Sequence, residues 1–164
     1  MAAKEHKEHK DRKMKTISQL CDTIRETAYA VHVYHGHGHL EKVYENALAH
    51  RLQKLGLDVK QQHPLNVFDE DGTSIGEYFA DLLVDGRLVV ELKAVRALAN
   101  EHTAQILGYM KSARVEDGLL INFGSYKFQI RKYVLSDEIR WRPQGASALI
   151  LAPFFALFAL FCGR

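Results

Sequence analysis

Apolar residues near the start of the chain recur every three or four positions, which is the period of an amphipathic helix. One helix is predicted from Ile17 to about residues 35–36. A second helix is predicted over about residues 40–55, with Gly56 as its stop. The residues expected on its buried face are Leu40, Val43, Tyr44, Ala47, Leu48 and Leu52.

After Gly56 the apolar period becomes two, which predicts strands. Extended segments are predicted over residues 57–60, 64–68, 75–84 and 87–92. Asp71-Gly72 marks a turn before the third segment, and Asp85-Gly86 marks the turn of a hairpin formed by the last two.

The rest of the chain returns to a helix and then to strands. A helix is predicted over residues 101–113, and strands over residues 119–123 and 128–135. The order helix, helix, strands, helix, strand, strand predicts a mixed α/β (or α+β) domain, in which helices pack on a central β-sheet.

The hairpin carries acidic residues in an apolar setting. Asp81 is followed ten residues later by Glu91-Leu92-Lys93. Two carboxylates can hold a hard cation that prefers oxygen ligands. A lysine beside them can orient a water molecule that acts as a nucleophile. A two-residue loop would leave Asp81 and Glu91 on opposite faces, because a shift of one residue reverses every side chain. A shared metal site therefore predicts a three-residue loop or a bulge. The alternative is a structural salt bridge from either carboxylate to Arg87 or Arg96.

Composition and charge are those of an ordinary globular protein. The 164 residues fit one domain, and a net charge of +2 does not by itself indicate a nucleic-acid partner. Cys21 and Cys162 give no disulfide framework, so a reducing, cytoplasmic compartment is expected. The chain starts without the apolar segment of a signal peptide.

Two segments fall outside the predicted domain of residues 16–140. Residues 1–15 are rich in Lys, Glu and His, which predicts a charged, disordered tail. Residues 141–164 form an apolar tail, and its almost wholly apolar run, residues 148–162, is short for a membrane span. A membrane-interface anchor, a helix packed on the domain or a partner, and a non-native extension all stay open for it.

Histidines crowd the end of the first predicted helix. His35, His37 and His39 alternate with glycine, a pattern that can chelate zinc or nickel. A structural zinc site needs four well-fixed ligands, and glycines leave this run without a fixed geometry. We interpret it as a source of metal-affinity artefacts rather than as a physiological site.

Several short motifs occur in order along the chain. Residues 38–44 contain the pattern Gly-x-x-Glu-x-x-Tyr. Further motifs occupy residues 76–81, 90–94, 102–105 and 118–124. Together they resemble the GxxExxY protein family of the PD-(D/E)XK nuclease superfamily, over roughly residues 17–135. Gln105 and Tyr109 are also similar to the Gln-x-x-x-Tyr motif of exonuclease-type members of that superfamily.

The resemblance implies a restriction-endonuclease-like core and a Mg²⁺- or Mn²⁺-dependent nuclease with water as nucleophile. DNA is the expected substrate, and RNA is the alternative. Lys93 would position that water, and Gln105 and Tyr109 would contact Lys93 or the phosphate. The implied catalytic residues are Glu41, Asp81, Glu91, Lys93, Gln105 and Tyr109. The implied metal ligands are Glu41, Asp81, Glu91 and the carbonyl group of Leu92.

The alternative function is a nuclease-fold nucleic-acid-binding module, either catalytically silent or dependent on a partner. Intact Asp81, Glu91 and Lys93 argue against a degenerate site, whereas the small size leaves a homodimer or a partner protein open. Basic residues expected near the sheet rim can track a phosphate backbone. They are Lys60, Arg87, Lys93, Arg96, Lys111, Arg114, Lys127, Arg131 and Lys132.

Overall fold

The computed structural model describes residues 14–136, which form three helices and a five-stranded sheet. The helices are α1 (Ile17–His35), α2 (Glu41–Lys54) and α3 (Asn100–Ala113). The strands are β1 (Val59–Phe68), β2 (Ser74–Val84), β3 (Leu88–Lys93), β4 (Asp117–Asn122) and β5 (Gln129–Val134). The predicted helices are confirmed, each to within one residue at both ends.

The strands lie side by side in the order β1-β2-β3-β4-β5. Neighbouring strands are antiparallel except for β3 and β4, which are parallel and joined by α3. This parallel pair is buried along its whole length, whereas β1 and β5 form the two edges of the sheet. The expected mixed sheet with flanking helices is confirmed, and it is consistent with a restriction-endonuclease-like fold.

Helices cover both faces of the sheet. One apolar cluster contains Leu20 from α1, Tyr44 from α2 and Val90 from β3. The opposite cluster contains Met110 from α3 and Val89 from β3. Because successive strand residues point to opposite faces, β3 contributes to both clusters and lies at the centre of the domain.

The β2–β3 hairpin contains the irregularity that was predicted from a shared metal site of Asp81 and Glu91. Val84 pairs with Leu88, although the Arg87 N–H donates to the Val84 carbonyl oxygen at 3.0 Å. Arg87 is therefore the extra residue of a bulge that follows a tight turn. The same register, continued along both strands, brings Asp81 opposite Glu91. The prediction of an odd offset is confirmed.

Two predictions about the first half of the domain are wrong. The segments at residues 57–60 and 64–68 form a single strand, β1, with Gln62 in an irregular conformation between them. Leu40 and Val43 do not face inward, since they are 79% and 40% exposed. Leu40 precedes α2 as its N-cap. The residues that α2 buries are Tyr44, Glu45, Leu48, Ala49 and Leu52.

Most of each predicted tail lies outside the residues that the structure describes. Residues 1–13 and 137–164, including the apolar C-terminal segment, lie outside the described residues. Across residues 14–136, none of the helices combines the length and the apolar character needed to cross a bilayer.

Candidate active site

The predicted acidic residues lie near the end of β3, where main-chain N–H groups donate hydrogen bonds to two of them. The Leu92 N–H donates to Asp81 Oδ2 at 2.8 Å, and the Ala94 N–H donates to Glu41 Oε2 at 3.1 Å. Glu91 belongs to β3 itself, Asp81 comes from the neighbouring β2, and Glu41 is the first residue of α2. Three elements of the fold therefore bring their carboxylates to one place on the sheet.

Glu91 and Lys93 form a buried ion pair at this place. The distance from Lys93 Nζ to Glu91 Oε1 is 2.6 Å, and the two side chains are 11% and 2% exposed. Two residues apart on one strand, they project from the same face. Within residues 14–136, Glu91 pairs with Lys93 rather than with Arg87 or Arg96, and Arg87 donates instead to the Lys15 carbonyl oxygen.

One oxygen of Glu91, Oε2, is buried and has no hydrogen-bond partner within the described part of the chain. A buried polar atom without a partner is costly in free energy and rare in folded proteins. Divalent cations such as Mg²⁺ take carboxylate oxygens as ligands. The chemistry of this donor atom therefore fits a bound cation of that class.

The acidic cluster holds protons more tightly than isolated carboxyl groups do. Burial, followed by the charge of Asp81, raises the pKa of Glu91 to about 8. Burial also raises the pKa values of Glu41 and Asp81. Burial alone would lower the pKa of Lys93, but its hydrogen bond to Glu91 and the nearby carboxylates raise it overall. One lysine thus faces three carboxyl groups, and a divalent cation would offset the excess negative charge.

Glu45 is a buried acidic residue that is not among the site residues predicted from the sequence. It is 2% exposed, and its carboxylate accepts hydrogen bonds from Lys42 at 2.6 Å and Gln61 at 2.9 Å. Gln62 Nε2 donates to Glu45 Oε2 at 2.8 Å and to Asp81 Oδ1 at 3.2 Å. The spacing from Glu41 to Glu45, one helical turn on the same face, was the available signal.

Gln105 and Tyr109 lie together on α3, as their spacing predicts. Gln105 Nε2 donates to the Tyr109 hydroxyl oxygen at 2.7 Å. Burial raises the pKa of Tyr109. The charges of the nearby Glu91 and Lys93 also act on this pKa, in opposite directions. The contact of this pair with Lys93 or with phosphate stays a prediction.

Metal ligation also stays a prediction. Within residues 14–136, no group of three or more His, Cys, Asp or Glu side chains is arranged to hold a metal ion. In the His-rich turn, the His35 ring packs edge-on against Tyr34, and the His39 ring against Tyr44. The residues predicted as ligands remain Glu41, Asp81, Glu91 and Leu92.

Comparison with known proteins identifies a family. The family model of the PD-(D/E)XK nuclease superfamily matches residues 18–133, which is most of the chain. No curated protein and no solved structure is significantly similar to the chain. The matched range contains the whole cluster, from Glu41 on α2 to Tyr109 on α3.

Proposed function

This chain belongs to the PD-(D/E)XK nuclease superfamily, and we propose that it hydrolyses phosphodiester bonds of DNA with Mg²⁺ or Mn²⁺ as cofactor. One observation carries the proposal: the buried Glu91–Lys93 pair lies beside Asp81 and leaves Glu91 Oε2 without a partner in residues 14–136. RNA is the alternative substrate.

The proposed ligands are oxygens of α2, β2 and β3. Asp81, Glu91 and the Leu92 carbonyl group would hold the cation, and Glu41 would add a ligand or orient a water molecule. The cation, when bound, supplies a water of lowered pKa and positive charge beside the phosphate. Asp81 keeps its orientation through the Leu92 N–H, and Glu41 through the Ala94 N–H.

Lys93 is proposed to act on the nucleophile and the substrate. Its ammonium group carries three donors, of which one binds Glu91 Oε1. The remaining donors can orient a water molecule and offset phosphate charge. The Tyr109 hydroxyl, which accepts from Gln105, keeps its own proton to donate to a phosphate oxygen.

The surface charges give weaker support for a nucleic-acid partner. Two of the basic residues proposed to track the backbone have local partners. Lys132 Nζ lies 3.0 Å from Asp117 Oδ1, and Arg87 binds the Lys15 carbonyl oxygen. The proposal therefore rests on the acidic cluster rather than on a basic surface.

The test is cleavage of end-labelled single- and double-stranded DNA by the full chain, purified without a metal-affinity step, in Mg²⁺, Mn²⁺ or EDTA. We expect cutting that requires the cation and disappears in Glu91→Ala and Lys93→Ala. Glu77→Ala removes an exposed carboxylate from the same β2 strand that carries Asp81, and it should cut like the wild type.

Cutting that survives EDTA or both site variants would overturn the proposal. DNA binding without cutting in any cation would instead favour a binding module, or a nuclease that needs a partner.

A further inference from the structure

The backbone of β1 is irregular at one residue. Gln62 has a φ of 47°, in the left-handed region, although it lies within a strand. Among residues 14–136, the other non-glycine residues with positive φ are Asp85, in the hairpin turn, and Arg114, at the C-cap of α3. Turns and helix ends accommodate this conformation readily, whereas a glutamine within a strand adopts it only against a steric penalty.

The face of the sheet on which the side chains of β1 pack also changes near Gln62. Val59 and Leu65 are an even number of residues apart, yet they pack in opposite apolar clusters. The neighbouring strand shows the same change, since Leu82 and Ala80 also pack in opposite clusters. Regular alternation would keep each pair on one face. The break lies between them, at the position of Gln62 and, across the strands, of Asp81.

The side chain of Gln62 connects two carboxylates at this break. Its Nε2 donates to Asp81 Oδ1 at 3.2 Å and to the buried Glu45 Oε2 at 2.8 Å. The other oxygen of Asp81 accepts from the Leu92 N–H. Both oxygens of Asp81 are therefore held, one by the main chain of β3 and one by an amide anchored on α2.

We propose that Gln62 is a positioning residue, which fixes the orientation of Asp81 through its amide bridge to Glu45. The strained backbone places that amide between the two carboxylates. This inference rests on the proposed function, because orientation of Asp81 matters when Asp81 is a metal ligand. Partners that orient metal ligands typically change metal affinity by about 10–100-fold when they are removed.

The neighbouring Gln61 offers a matched control. Gln61 is also an exposed glutamine on β1, and its Nε2 also donates to Glu45, but its second partner is Asn46 rather than Asp81. Loss of either amide removes one donor from Glu45. Only the loss of Gln62 releases Asp81.

The experiment is calorimetric titration of Mn²⁺ into the metal-free full chain, together with thermal unfolding without metal. We expect Gln62→Ala and Gln62→Gly both to bind Mn²⁺ at least about 10-fold more weakly than wild type. Gln61→Ala should bind like wild type. Without metal, Gln62→Gly should unfold a few degrees above Gln62→Ala, because glycine accepts the left-handed backbone without strain.

The outcomes separate the positioning role from the proposed function. Wild-type affinity in both Gln62 variants, with binding abolished in Glu91→Ala, would overturn the positioning role alone. Affinity that recovers in Gln62→Gly along with stability would assign Gln62 a merely structural role. Absence of Mn²⁺ binding by wild type would overturn the proposed function, and the positioning role with it.

Discussion

Substitution of Gly124 by alanine should destabilise the protein strongly, because the loop after β3 lies against this glycine. A Cβ atom on Gly124 would overlap the main-chain atoms of Ala94 and Val95. Overpacking typically costs about 1–3 kcal/mol, and we expect the upper end, since the obstructing atoms belong to the backbone. For a chain of this size, about 3 kcal/mol lowers Tm by roughly 6–12 °C.

The same substitution at Gly108 is the matched control. Gly108 lies inside α3, and an added Cβ would meet no atom within 4 Å. Alanine should therefore stabilise the helix by about 0.5–1 kcal/mol. Thermal unfolding followed by circular dichroism, with urea titration to give the free energy of unfolding, measures both variants. A Gly124→Ala protein as stable as wild type would refute the close approach on which the reasoning depends.

Two further predictions concern the acidic cluster and α3. Burial and the charge of Asp81 raise the pKa of Glu91 from its ordinary 4.5 to about 8. The folded protein therefore binds this proton more tightly than the unfolded chain does, and the resulting contribution to the stability of the metal-free protein is fully present below pH 4.5. This contribution is lost as pH rises through about 8. Between pH 6 and 8.5, metal-free wild type should lose on the order of 2–3 kcal/mol more than Glu91→Gln in urea titrations, and parallel curves for the two proteins would contradict this. Tyr109→Phe removes the acceptor of the Gln105 amide and should reduce the free energy of unfolding by about 1 kcal/mol. The control Tyr126→Phe changes a side chain that is 84% exposed and should leave the free energy of unfolding unchanged. Equal effects of the two substitutions would count against the hydrogen bond.

The proximity of Asp81, Glu91 and Lys93 in the candidate site was predictable because its signals are local. Asp81 and Glu91 interrupt apolar runs, where a lone carboxylate is costly, and Lys93 follows at the spacing that shares a face. The requirement for one face then predicted an odd hairpin offset, which the Arg87 bulge supplies. Each step used residues that are near neighbours in sequence or in one hairpin.

The contribution of Glu45 could not be predicted in the same way, because it depends on how α2 lies against β1. Burial of Glu45, unlike that of Leu48, follows from this packing and not from helical periodicity alone. Gln62 gave no signal, since glutamine is not a residue that marks a left-handed backbone. Leu40 was misassigned because apolar spacing extended the buried stripe beyond the point where the helix begins.

The position of β1 at the edge of the sheet has a consequence for association between molecules. An edge strand offers unpaired N–H and C=O groups on which a strand of another molecule can align, and β1 has ten residues. Gln62 departs from the extended conformation, and Pro64 has no N–H to donate. The two residues divide the edge into short runs that make poor templates. The irregularity beside Asp81 thus also hinders copies of the chain from joining edge to edge into aggregates.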